Sequence, residues 1–382
     1  MRDLYIDTPQ ALHPFCQQLR HSAWIAVDTE FIRERTYYPQ LCLIQIADEH
    51  QVACIDPLAL QDLEPLWVVL NDSAITKVLH SASQDLEIFF HQQGRVPTPV
   101  FDTQIAAALL GHGEQIGYAA LVSALLGVEL DKSQTRTDWS QRPLDHAQLV
   151  YAADDVRFLR PVYEKQVAEL ERLGRLGWLN NDLETLCDPE RYQSKPSEMW
   201  RRIRSHHQLR PMQLAALRAL AGWREEQAMA LNKPRKWIIG DDVLLELARH
   251  MPSDLNGLQR IRSLEANTLK RQGEKLLSLI RAAQSEPRDT WPHVRVHRRI
   301  SAEQEALLDA LMAVVRLCGV EHGISPQSLA SRKELEQWVL DEQDIPLLHG
   351  WRAALAGRQV QALRQGDARL AVQDGKLCLA KE

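Results

Sequence analysis

Cysteine is scarce and scattered in this chain: Cys16, Cys42, Cys54, Cys187, Cys318 and Cys378 never form a Cys-x-x-Cys pair. That spacing argues against a disulfide framework and a thiolate zinc site, and it fits a reducing cytoplasm. Long apolar runs are missing too. No uninterrupted stretch approaches the ~20 residues needed to span a bilayer, so no membrane segment is expected. The first residues, Met1-Arg-Asp-Leu-Tyr-Ile-Asp7, lack the apolar centre of a secretion signal. No Gly-x-x-x-x-Gly-Lys-[Ser/Thr] loop occurs, and ATP-driven work is therefore not expected.

The chain does have length and an uneven charge. Its 382 residues, 45% of them hydrophobic, exceed the usual single domain and can fill two or three cores. The net charge of −6 hides a division. Residues 1–190 carry 14 basic against 28 acidic side chains, residues 191–300 carry 22 against 11, and residues 301–382 carry 9 against 12. An acidic lobe attracts a polyanion poorly except where cations neutralise it, whereas a basic module supplies sequence-independent attraction to phosphates. One part is expected to cut and another to help hold, although solvated helix faces would give the same counts.

Chemistry-bearing residues concentrate in three short segments. Asp28 and Glu30 end the apolar run Trp24-Ile25-Ala26-Val27, and on a strand residues two apart project from one face. The same pattern also fits a solvated strand end. Asp85 precedes Leu86, Ile88, Phe89 and Phe90, where it reads equally well as a ligand or as an acidic first-turn residue favoured by the helix dipole. Tyr151 and Asp155 are four apart in a helical pattern and share a face, while Asp154, three residues after Tyr151, is the rival to Asp155. Carboxylate oxygens are the donors that Mg²⁺ or Mn²⁺ prefer, and paired metals stabilise the attacking and leaving oxygens of a phosphodiester displacement. Tyr151, a phenol with a reference pKa of about 10, is largely protonated at neutral pH, which suits it to orient a water rather than to deprotonate it.

These segments, in this order and at these separations, resemble the three motifs of the DEDDy family of 3′–5′ exonucleases. Thr36-Tyr-Tyr-Pro-Gln-Leu41, Leu43-Ile-Gln-Ile46, Phe101-Asp-Thr-Gln104, Leu130-Asp-Lys-Ser133, Thr137-Asp-Trp139 and Arg142-Pro-Leu144 narrow the likeness to the ribonuclease D family and extend it over nearly the whole chain. The resemblance implies a ribonuclease H-like α/β domain with helices on both sides of a mixed sheet. It implies Asp28, Glu30, Asp85 and Asp155 as ligands of two divalent ions (Mg²⁺ or Mn²⁺), with Tyr151 and Glu30 as catalytic groups. It prefers Asp155 to Asp154. The implied activity is hydrolytic removal of 5′-mononucleotides from RNA 3′ ends, in trimming structured precursors such as transfer RNA; a DNA-directed exonuclease and a silent binding scaffold are the alternatives.

Around this site, Asp102 reads as a helix N-cap and His80 as a buried, hydrogen-bonded histidine. Lys132, Arg136, Trp139 and Arg142 form a basic segment with one aromatic, able to bind phosphate and stack on a base, or simply a solvated loop. Expected boundaries are a nuclease domain at 1–175, a polar and proline-containing linker at 176–207, and helical bundles at 208–290 and 291–382. The first bundle resembles the HRDC domain, an auxiliary nucleic-acid-binding module, through Leu209–Ala228 and Pro234–Ala248. The second is expected to be a diverged HRDC-like copy.

Overall fold

A six-stranded mixed sheet is built from β1 (Arg2–Ile6), β2 (Trp24–Ile32), β3 (Gln40–Ala47), β4 (Gln51–Ile55), β5 (Thr76–Leu79) and β6 (Val100–Asp102), in the order β1-β4-β3-β2-β5-β6. The computed structural model describes residues 2–131, 134, 137–293, 300–340 and 344–381. β3 and β4 pair antiparallel, while β1 runs parallel to β4, and β5 parallel to both β2 and β6. β3 has seven consecutive buried residues from Leu41 to Ala47, the near-continuous apolar run expected of a strand covered on both faces. Seven helices accompany the sheet: α1 (Pro9–Leu19), α2 (Glu64–Leu70), α3 (Ser83–Gln93), α4 (Thr103–Leu109), α5 (Tyr118–Leu126), α6 (His146–Arg157) and α7 (Leu159–Arg172). α6 packs on β4 and α7 on β5.

The chain divides into two compact units. One comprises Met1–Glu30, Leu41–Arg191 and Arg298–Glu382; the other comprises Phe31–Gln40 and Tyr192–His297. Within the first, residues beyond 300 close against the nuclease part. Ser325 N donates to Ala108 O at 3.0 Å and Arg175 Nη2 to His322 O at 2.6 Å. Arg352 Nη2 reaches both carboxylate oxygens of Asp182, at 2.9 and 3.1 Å, and the rings of Trp178 and Trp351 stack with centroids 4.7 Å apart. A Cβ on Gly111 would lie 2.8 Å from Gly323 O, so only glycine admits this approach.

The helical unit contains α8 (Pro211–Ala230), α9 (Arg235–Ile238), α10 (Asp241–His250), α11 (Leu255–Gln259) and α12 (Ala266–Ser285) around Leu214, Leu217, Leu220, Leu244, Leu247, Leu276 and Ile280. Met199, Trp200 and Ile203 are buried in that same core. Most of the second half of the expected linker is therefore structural: its polar and proline residues obscured three apolar anchors. The last described elements also depart from an all-helical expectation, because Ala368–Gln373 and Lys376–Lys381 form an antiparallel hairpin.

Candidate active site

Three carboxylates converge at the end of β2. One ligand oxygen each from Asp28, Glu30 and Asp155 lies within 4.8 Å of the other two. β2 supplies two of them through its two-residue period, and α6 supplies the third. α6 starts cleanly because Asp145 and Gln148 form a capping box, each side chain 2.8 Å from the other residue's backbone nitrogen. The cap fixes the helical register, and the register aims Asp155 at the strand.

Asp154 points to other partners. Arg157 Nε donates to its Oδ1 at 2.8 Å, and the same guanidinium grips Asp3 at 2.9 and 3.1 Å. The Asp154 backbone carbonyl accepts the Tyr118 hydroxyl at 2.9 Å. The structure thus separates two adjacent aspartates that their sequence left as rivals.

Asp85, on the first turn of α3, is buried and stands beside the trio. It accepts the Thr29 hydroxyl at 2.5 Å. Thr29, between Asp28 and Glu30, is a partner that no motif in the sequence marks. The turn before α3 is held by Asp102, whose carboxylate accepts from Ser81 N at 3.1 Å and Ala82 N at 2.9 Å. Asp102 also caps α4, accepting from Gln104 N and Ile105 N, as its expected N-cap role requires. His80 is held between Thr103 Oγ1 at 2.9 Å and Ile116 O at 3.0 Å, a hydrogen-bonded structural position.

The electrostatics of this cluster are those of like charges without compensation. Burial, then Asp155 and Asp85, push the Glu30 carboxyl up to about 8. Burial, then Asp85, Asp155 and Glu30, hold Asp28 well above the carboxylate range. Burial raises Asp85 to about 7 despite the Thr29 hydrogen bond, and burial followed by Asp154 raises Asp155 to about 7. Such buried carboxyls keep protons at neutral pH unless a cation replaces them.

Two of the four expected RNA contacts have internal partners in the structure. Trp139 is 3% exposed, with its ring centroid 6.1 Å from that of Tyr151, so it packs beside the tyrosine instead of presenting a stacking face to solvent. Arg142 spends all five N–H donors internally. Nε and Nη2 bind the two oxygens of buried Asp56 at 2.5 and 2.8 Å, Nη2 binds Cys42 O at 2.7 Å, and Nη1 binds Trp139 O and Gln141 O at 2.8 Å. It is a strut for the loop that carries Trp139. Lys132 and Arg136 lie outside the described residues.

Known proteins resemble this chain in sequence and in fold. The 3′–5′ exonuclease family matches residues 4–171, and the HRDC domain matches residues 213–280. Together with the mixed sheet, these matches define a 3′–5′ exonuclease carrying an HRDC domain. The ribonuclease D of Gluconacetobacter diazotrophicus is 40% identical, the alignment covering 96% of this chain and 94% of that one. That of Sphingobium indicum is 38% identical over 98% of each. The crystal structure of Escherichia coli RNase D superposes with a TM-score of 0.83 at 36% identity, covering 96% of this chain and 99% of that one. The chain belongs to the ribonuclease D family and is a hydrolytic 3′–5′ exoribonuclease.

Proposed function

We propose that the chain uses two divalent metal ions to remove 5′-mononucleotides one at a time from the 3′ ends of structured RNA, transfer-RNA precursors among them. The observation that carries the metal reading is the oxygen trio of Asp28, Glu30 and Asp155. Its donors are hard, and Asp85 adds a fourth carboxyl beside them. Burial and the neighbouring carboxylates raise the Asp28 and Glu30 carboxyls, as a site that lacks positive charge would do. Residues and metal therefore fit. Mg²⁺ or Mn²⁺ bound there supplies charge neutralisation for the phosphate and for the leaving 3′ oxygen.

The chain's own groups account for positioning. Tyr151 lies on the same helix as Asp155, one turn earlier, and orients the attacking water through its hydroxyl. Trp139, packed beside it, restricts the phenol ring, and Arg142 in turn holds the Trp139 carbonyl. Attack at phosphorus with departure of the 3′ oxygen leaves the phosphate on the released nucleotide's 5′ carbon. The structured-RNA substrate is supported by the E. coli relative, described as an exoribonuclease involved in structured RNA processing.

The helical unit is proposed as the auxiliary RNA-holding part, with residues 291–382 as a diverged second HRDC-like bundle. Among the basic side chains of this unit, Arg218 is tied to Glu286, Arg224 to Asp241 and Arg235 to Glu225, whereas Arg210, Lys233 and Lys236 are exposed. Trp237, 61% exposed next to Lys236, adds an aromatic face that the sequence reading had absorbed into a helical pattern. No described helix is long and apolar enough to cross a membrane, and a cytoplasmic location is proposed.

The deciding experiment measures metal-dependent nucleotide release from matched labelled RNA and DNA strands, with Asp155→Asn and Asp154→Asn in parallel. RNA cleavage lost only in Asp155→Asn is the expected result. Preference for DNA, or loss only in Asp154→Asn, overturns the corresponding part.

A further inference from the structure

Gln45 lies in β3, within Leu43-Ile-Gln-Ile46, and is 0% exposed. Neither its amide oxygen nor its amide nitrogen has a hydrogen-bond partner among the described residues. A sealed primary amide with unmet donors and an unmet acceptor is less favourable than an apolar side chain of the same size, so its presence calls for a use. The register shows where it faces. Gln45 pairs with Cys54 of antiparallel β4, and residues directly opposite one another project from the same face of a sheet. Cys54 Sγ lies 3.9 Å from Leu149 O of α6, so that face is the one α6 covers. Asp28 and Glu30 project from it too, since Asp155 of α6 meets them there. β3 stands between β4 and β2, which places Gln45 between the contact of α6 with Cys54 and the carboxylates of β2. All these residues belong to one compact unit.

The same face offers an acceptor. Asp85 accepts the Thr29 hydroxyl, and Asp28 accepts a bond from the Thr29 backbone, but no described residue donates to the Asp155 carboxylate. A donor without an acceptor and a carboxylate without a donor thus lie under one helix. Carboxylates that bind metal are themselves hydrogen-bonded by outer partners that fix their orientation, and losing such a partner typically costs about 10- to 100-fold in metal affinity or activity. Like charges in the empty cluster oppose the approach of α6 to β2, and neutralising them lets the helix settle across β3, toward Gln45.

We propose that Gln45 is a positioning residue of the active site: its Nε2 donates to the Asp155 carboxylate when divalent cations load the cluster, and so fixes the Asp155 and Tyr151 side of α6 against the strand carboxylates. The inference rests on reading the carboxylate trio as the metal centre. It accounts for an amide standing where an apolar side chain of the same length would be less costly, because the unmet bond belongs to the unloaded fold alone.

The test uses the full chain, with thermal unfolding in chelator and across a Mn²⁺ titration, and single-turnover cleavage of a short single-stranded RNA. Gln45→Met keeps the side-chain length and removes the amide; Gln45→Leu is a second apolar replacement. In chelator at least one of them should melt about 2 °C or more above wild type, because a sealed amide is gone. Mn²⁺ should then raise its melting temperature less than that of wild type, with a half-saturating Mn²⁺ concentration about 10-fold higher and cleavage about 10- to 100-fold slower. RNA affinity should stay within about two-fold of wild type, the effect being on the metal cluster and not on RNA contacts. In an Asp155→Asn background Gln45→Met should no longer change the Mn²⁺ response. If both apolar variants melt below wild type in chelator, the amide is already bonded in the unloaded fold and the proposal is overturned. Wild-type rate and Mn²⁺ dependence in a folded variant overturn it as well, as does a Gln45→Met effect that persists in Asp155→Asn. A wild-type chain whose unfolding and cleavage ignore Mn²⁺ overturns the metal-centre reading itself, an outcome visible before any variant is compared.

Discussion

Replacing Glu30 with glutamine should inactivate the enzyme and, without metal, make it more stable. Burial and the neighbouring Asp155 and Asp85 raise the folded-state carboxyl from 4.5 to about 8. Between those values the native state binds more protons than the unfolded chain, so stability falls as pH rises through that window. At 1.36 kcal/mol per pH unit, the cost at pH 7 reaches about 3 kcal/mol; sharing protons among four neighbouring carboxyls reduces the part removable at one position to about 1–2 kcal/mol. Glutamine keeps the shape and has no such dependence. With about 2–4 °C per kcal/mol for a domain of this size, the chelated Glu30→Gln variant should melt about 2–8 °C above wild type at pH 7.5, and the gap should close near pH 4. Mg²⁺ should narrow the gap at pH 7.5 by stabilising wild type more strongly. The assay is thermal unfolding of the nuclease unit in chelator and in Mg²⁺ across pH. A variant that melts at or below wild type at pH 7.5 in chelator refutes the reasoning.

Tyr151→Phe should lower the single-turnover rate about 10²- to 10⁴-fold with little change in RNA affinity, the range of an acid–base group removed alone; near-normal cleavage would take the hydroxyl out of the mechanism. Arg142→Ala should cost about 2–4 kcal/mol of nuclease-unit stability, because it leaves the buried Asp56 carboxylate without its cationic partner, yet leave the salt slope of RNA binding unchanged. A shallower slope would return Arg142 to the RNA surface. Lys233→Ala with Lys236→Ala should reduce that slope by roughly 1–2 log units per log unit of salt, measured with structured RNA. These substitutions test the basic unit more cleanly than truncation near residue 190, which would also remove the segment bonded to Ala108, Asp182 and Arg175.

The convergence of the three carboxylates was legible because its geometry is local. A two-residue strand period brings Asp28 and Glu30 to one side, and a four-residue helical period joins Tyr151 to Asp155. What periodicity cannot encode is the partner of a polar group. Arg142 and Trp139 had the composition of an RNA-binding loop, but burial of Asp56 and proximity to Tyr151 gave them structural work. Met199, Trp200 and Ile203 were hidden among polar neighbours, and only their burial in the helical core shows that residues 192–203 are more than a linker. Thr36-Tyr-Tyr-Pro-Gln-Leu41 was readable as a family feature, while the capture of Tyr37 by Glu225 and Asn232, nearly two hundred positions away, was not.

The split construction of the nuclease unit has a consequence for its synthesis. Every member of the carboxylate cluster has been made by residue 155, but the segment that covers Ala108 and receives Arg175 and Asp182 comes after residue 300. On the ribosome, at about 5–20 residues per second, the catalytic end of the unit therefore waits roughly ten seconds or more for its cover, while the intervening helical unit emerges with a core drawn largely from its own contiguous residues. During that interval the surface around Ala108 and Leu109 is open. Chaperone dependence should be concentrated there, and a nascent chain arrested between residues 200 and 300 is the form most exposed to aggregation and proteolysis.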